Sequence, residues 1–156
     1  SGFHWYGSAA ARHSIDDTWL RFRHAMRFSE YFYGPDFAPA EDPEAIVSVS
    51  GPGAERVLWQ PFVFTRETDG GHETLVHLVN LPASDHIIQR HEVPPTREDL
   101  AITVTLPQGG AVLSCHALMP DPHPRAEALD WQAAGAGRIE ITLPELREMA
   151  SIVVIM

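Results

Sequence analysis

Lysine is absent from this sequence of 156 residues, so all eleven basic residues are arginines, set against 21 acidic ones for a formal charge of −10. A chain this acidic repels phosphate backbones, which argues against nucleic acid as a partner. Anionic membrane surfaces are disfavoured by the same repulsion. Cysteine is nearly absent too. Cys115 stands alone, so no intrachain disulfide and no thiolate metal site can be built. A lone cysteine in a strand pattern is read as a small buried hydrophobe. Long apolar runs are missing as well. The longest, residues 151–156, is strand-sized and far short of the ~20 residues that cross a bilayer as a helix. No signal-peptide pattern is present. The chain starts at Ser1 without a methionine, which points to a processed, recombinant or fragmentary product. The compartment, secreted or cytoplasmic, stays open.

What is present suffices for a globular core. The hydrophobic content of 44% is ordinary for a folded domain. The length fits one domain, or one domain plus a fragment. Arginine without lysine, together with much Ala, Gly and Pro, resembles a high-GC bacterial coding bias.

Three segments differ in texture. In residues 1–34, Ile15, Trp19, Phe22, Met26 and Ser29 recur at helical spacing, flanked by Leu20, Ala25, Phe28 and Phe32. Ser14 reads as the N-cap with Asp17 three residues on. Asp16 and Asp17 suit the positive end of the helix dipole. Gly34-Pro35 closes the helix, and Arg12, Arg21, Arg23 and Arg27 mark its wetter side. So wide an apolar stripe needs a large surface to pack on. Phe3-His4-Trp5-Tyr6 before it reads as a strand end leading into a loop. Residues 35–43, with three prolines and three acidic residues, read as a linker.

Residues 44–156 are β in pattern. Strands are expected at residues 46–50, at 56–65 with Pro61 forcing an edge or bulge, at 75–81 as a central strand apolar on both faces, at 100–106, at 111–119, at 138–143 and at 152–155. Gly51-Pro-Gly53, Asp69-Gly-Gly71, Gln108-Gly-Gly110 and Gly135-Ala-Gly137 supply turns. Seven or eight short strands between turns predict a mainly β fold, an antiparallel immunoglobulin-like β-sandwich preceded by one long amphipathic helix.

Catalytic signatures do not assemble. The nine histidines lack metal-ligand spacing; His72 and His77 fall on opposite faces of a strand, and His86 and His91 flank a loop. No metal and no cofactor is expected. Paired carboxylates could hydrolyse glycosides, but Asp16-Asp17 suit a helix start, Glu41-Asp42 a linker, and Glu145 and Glu148 a turn. No nucleophile elbow or phosphate-cradling loop occurs. Trp59 and Trp131 could stack on sugar. Trp59 alternates with Val57 and suits the core; Trp131 suits a partly exposed place.

The run Leu75-Val-His-Leu-Val-Asn-Leu81 resembles the strand motif in carboxyl-terminal β-domains of bacterial glycoside hydrolases. Val93-Pro-Pro95, Ile102-Thr-Val-Thr-Leu-Pro107, Met119-Pro-Asp121 and Ile139-Glu-Ile-Thr-Leu-Pro-Glu-Leu146 follow in the same order. The sequence is most similar to the dextranase and cycloisomaltooligosaccharide glucanotransferase family (glycoside hydrolase family 66). Gly2-Phe-His4 is similar to the end of that family's last barrel strand, and residues 14–34 to its last barrel helix. Where the family's pattern places an acidic residue two positions after the histidine, Tyr6 stands.

The resemblance implies residues 1–34 as the terminal strand-helix unit of a catalytic β/α barrel, 35–43 as linker and 44–156 as an accessory sandwich. It implies a non-catalytic tail of an enzyme acting on an α-glucan such as dextran, inactive as this isolated chain. The family's catalytic carboxylates lie on earlier strands, so none carries over. His4, Trp5 and Tyr6 would line the barrel mouth, and with Trp131 they are the candidate carbohydrate contacts. The competing expectations are a carbohydrate-binding module and a subunit-assembly sandwich that self-associates through the helix.

Overall fold

The computed structural model describes residues 9–82, 94–108, 110–135 and 137–156. The period-two patterns become two antiparallel sheets. The larger runs β1 (Ala38–Pro39), β4 (Val63–Thr68), β5 (Gly71–Asn80), β11 (Met149–Ile155), β7 (Ser114–Met119), β8 (Arg125–Ala128), with β3 (Val57–Leu58) also on β5. The smaller runs β2 (Val47–Ser50), β6 (Arg97–Thr105), β10 (Arg138–Leu146), β9 (Trp131–Ala133). The fold is mainly β, a sandwich with a helix preceding it.

The core lies between the sheets. Val76, Leu78, Ala117, Ala150, Ile152 and Val154 come from the larger sheet. They meet Leu100, Ile102, Val104, Ile139, Ile141 and Leu143 from the smaller one. Cys115 is buried here, where loss of water pushes its thiol up to about 12. Trp59 is buried here too.

Strand β5 is central, as its two apolar faces require. Its outward residue Leu75 joins Leu118 and Val153 in a second apolar layer on the far side of the larger sheet. That layer is covered by Phe28, which follows α1 (Ala9–Arg27), by Tyr31 of α2 (Ser29–Tyr33) and by Phe37.

Three local expectations change. Helix α1 begins at Ala9, so Ser14 lies inside it and is not its cap; the alanines at 9–11, the best helix formers, extend the helix backwards. The single strand expected at 56–65 is two strands, split by a tight 3-10 turn at Gln60–Phe62, because Pro61 has no N–H to give a ladder. Ile46 closes a short helix α3 (Pro43–Ile46) capped by Asp42, whose carboxylate accepts from the Ala45 N–H at 3.2 Å. Strands β1, β8 and β9 were not expected. They are two to four residues long and carry no buried large apolar side chain, so the pattern of apolar residues does not mark them.

Candidate functional site

The junction between α1 and the outer face of the larger sheet gathers the most chemistry. Each helical residue turns about 100°, so His24, Phe28, Arg21 and Arg27 share one side and Trp19, Phe22 and Met26 the opposite one. The sandwich takes the first side. His24 is fully buried. Its ring packs edge-on to Phe28 at 5.2 Å and to Phe32 at 5.3 Å. Phe32 in turn stacks on His77 of β5 at 4.9 Å and 18°, and His77 meets Phe64 of β4 edge-on at 5.7 Å. His77 Nδ1 lies 2.7 Å from the Ser151 hydroxyl on β11.

The His24 ring points toward the Met119 backbone, yet neither of its nitrogens makes a hydrogen bond of normal geometry. Burial holds His24 down to about 4. Burial does the same to His77, also to about 4, with repulsion from His24 adding to it. Both imidazoles are therefore neutral at pH 7.

Polar clasps surround these rings. Arg27 Nη1 donates to the Pro124 carbonyl at 2.6 Å, and Arg21 pairs with Glu148. On α2, Glu30 reaches Arg66 of β4 at 2.7 Å, and Arg66 also pairs with Glu73 of β5 at 2.6 Å. The Arg66 guanidinium lies 4.3 Å over the Phe37 ring.

The opposite side of α1 is bare. Trp19 is 59% exposed, and Phe22 and Met26 are each 55% exposed. Trp19 and Phe22 contact each other edge to face at 5.8 Å. The side expected to be wetter is the one that meets the sandwich. Arg21 and Arg27 reach for the sandwich, and the apolar stripe faces out. The reason is the acceptor surface: the outer sheet face offers His77, Ser151 and ring edges, which suit His24 and Phe32.

Other candidate residues do not converge. Trp131 on the edge strand β9 is 43% exposed. It pairs with Ile141 and so shares the core-facing side, overhanging the sandwich's open margin. Gln132 beside it donates to Glu140 at 3.0 Å on the other side. Trp59 lies in the core, apart from this edge. His4, Trp5 and Tyr6 lie outside the described residues. Glu145 pairs with Arg147 at 2.6 Å and Glu148 with Arg21, so these carboxylates are spent on ion pairs. Among the described residues no three His, Cys, Asp or Glu side chains cluster closely enough to hold a metal ion, and no helix is long and apolar enough to cross a membrane.

No protein-family model and no curated protein sequence matches the chain. Solved structures do. A cycloisomaltooligosaccharide glucanotransferase of Paenibacillus sp., complexed with cycloisomaltoheptaose, superposes with a TM-score of 0.69 at 14% identity, over 88% of this chain and 20% of that one. This fold occurs within a glycoside-processing enzyme. The chain spans 20% of that enzyme's length, so it corresponds to one part of it. An alpha-L-fucosidase isoenzyme 2 from Paenibacillus thiaminolyticus superposes more loosely, with a TM-score of 0.46 at 13% identity, over 71% of this chain and 15% of that one.

The sequence missed His24 and His77 as partners. The available signal was the outward face of β5, where Leu75, His77 and Val79 alternate. An apolar outer face on a central strand calls for a covering layer.

Proposed function

We propose that this chain is the non-catalytic carboxyl-terminal part of a glycoside hydrolase acting on an α-glucan such as dextran. In this reading residues 1–34 are the last strand and helix of the catalytic barrel, 35–43 the linker and 44–156 the accessory sandwich. The sandwich stiffens the barrel through α1.

One observation carries the proposal: α1 is held by the sandwich on one side and presents Trp19, Phe22 and Met26 to water on the other. A helix with two contact sides is what a barrel helix needs when a second domain packs against it. The fold shared with the glucanotransferase agrees with this reading. The resemblance of the sequence motifs to family 66 supplies the substrate class. His4, Trp5 and Tyr6 would then stand at the barrel mouth.

A dextran-hydrolysis assay on the chain alone tests it. No turnover is expected; measurable release of reducing ends would overturn the view that catalysis resides elsewhere. The exposure of Trp131 favours a second reading, a carbohydrate-binding module. Affinity electrophoresis in dextran separates the two. Retardation that Trp131→Ala abolishes would favour the module, and unretarded migration the tail.

A further inference from the structure

We propose that the junction between α1 and the sandwich is an acid-released latch, in which protonating His24 and His77 frees the helix from the outer face of the larger sheet while the sandwich stays folded.

The geometry supplies the latch. His24, Phe32 and His77 form one continuous ring cluster across the junction, His24 from the helix and His77 from the sheet, with Phe32 between them. His24 is fully buried, and among the described residues neither ring nitrogen makes a hydrogen bond of normal geometry, so a charge on it would be compensated only in part, by the Met119 backbone.

The ionisable groups on the surrounding elements include Arg21, Arg23 and Arg27 of α1, Glu30, Tyr31 and Tyr33 of α2, Arg66 and Glu67 of β4, His72 and Glu73 of β5, and His116 of β7. Asp121, His123 and Arg125 follow around the β7–β8 loop, and Glu148 lies at the start of β11. The arginines and the carboxylates nearest the rings are engaged elsewhere: Arg66 with Glu30 and Glu73, Arg21 with Glu148, Arg27 with the Pro124 carbonyl. Arg125 holds Glu127 at 2.5 Å. Among the described residues no carboxylate forms an ion pair with His24 or His77. Two imidazolium ions in one ring cluster would also repel each other. The layer between the sheets holds neither histidine, so it survives the helix leaving.

The sign follows from linkage. Both imidazoles titrate lower in the docked form, about 4, than free imidazole at 6.5. The released form therefore binds more protons between those values. Docking is at full strength above pH 6.5 and weakens as pH falls toward 4. At pH 4.5, His24 alone would shift the docking equilibrium on the order of 50-fold toward release.

Hydrogen exchange of the full chain from pH 7 to 4.5, corrected for intrinsic rates, tests the latch. The expected result is a loss of protection of at least about 50-fold, the share of His24 alone, in residues 18–27, with β5, β6, β10 and β11 unchanged. The double variant His24→Phe/His77→Phe should hold residues 18–27 equally protected at both ends. Protection of the helix that stays flat in the wild type, falls together with the strands, or still falls in the double variant overturns the proposal. If the double variant does not fold, NMR of the wild-type His24 ring decides. Protonation coincident with loss of the docked helix resonances supports the latch; protonation in place, with helix amides unmoved, overturns it.

Discussion

At the scale of single residues, the folded chain answers most sharply where a polar group is buried with partners. Asn80 is the clearest case. Its side-chain amide donates to the Pro95 carbonyl at 2.8 Å and to the Arg147 carbonyl at 2.6 Å, while its Oδ1 accepts from Arg97 Nε at 3.1 Å. It ties three stretches of chain at one end of the sandwich. Asn80→Ala removes a buried amide and all of these bonds at once, so a loss of about 1–3 kcal/mol is expected in urea unfolding. Cys115 answers in another way. Its thiol is buried and stays protonated across the physiological range. A thiol reagent should react with it only as the sandwich unfolds, so its labelling rate should follow the unfolded population. Fast labelling of the native chain would contradict its placement in the core.

Between elements, Arg66 joins Glu30 of α2 to the larger sheet, but its buried partner is Glu73 on the neighbouring strand. Its side chain is 11% exposed and that of its partner Glu73 12%, whereas Glu30 is 62% exposed. Arg66→Ala leaves the nearly buried Glu73 carboxylate without its partner and takes the guanidinium off the Phe37 ring, and about 3 kcal/mol should be lost. Glu30→Ala removes only a solvent-screened pair, so a change within about 0.5 kcal/mol is expected. Equal effects from the two substitutions, measured by thermal or urea unfolding, would contradict this ranking. The same scale shows what the sequence could and could not tell. Strands β6 and β10 were legible from their apolar alternation, and β5 and β11 from short apolar runs bounded by turns. The strand split at Pro61 was half legible: proline marks a break but not its shape. The side on which α1 docks was not legible. An apolar stripe normally faces the core, and Trp19, Phe22 and Met26 form the stronger stripe. The sandwich instead takes the side with His24, because His77 and Ser151 sit on the sheet face it covers. A histidine paired across elements leaves no spacing signal in one sequence.

For the whole molecule, two contact faces on one helix set the reading. The sandwich side is closed by rings and ion pairs, and the other side is apolar and wet. Isolated, such a chain should bind hydrophobic dyes or associate through that stripe, since an exposed apolar surface of this kind is rare on a free-standing domain. In the proposed parent enzyme the barrel would cover it. The central claim is therefore that Trp19, Phe22 and Met26 belong to a contact made outside this chain's own fold. The most direct measurement is the urea-unfolding free energy of the triple variant Trp19→Ser/Phe22→Ser/Met26→Ser. We expect it to stay within about 1 kcal/mol of the wild type, because exposed side chains contribute little to the chain's own stability. A loss of several kcal/mol, on the scale of about 3–5 for each truncated core aromatic, would mean that the stripe is built into this fold, and would contradict the claim.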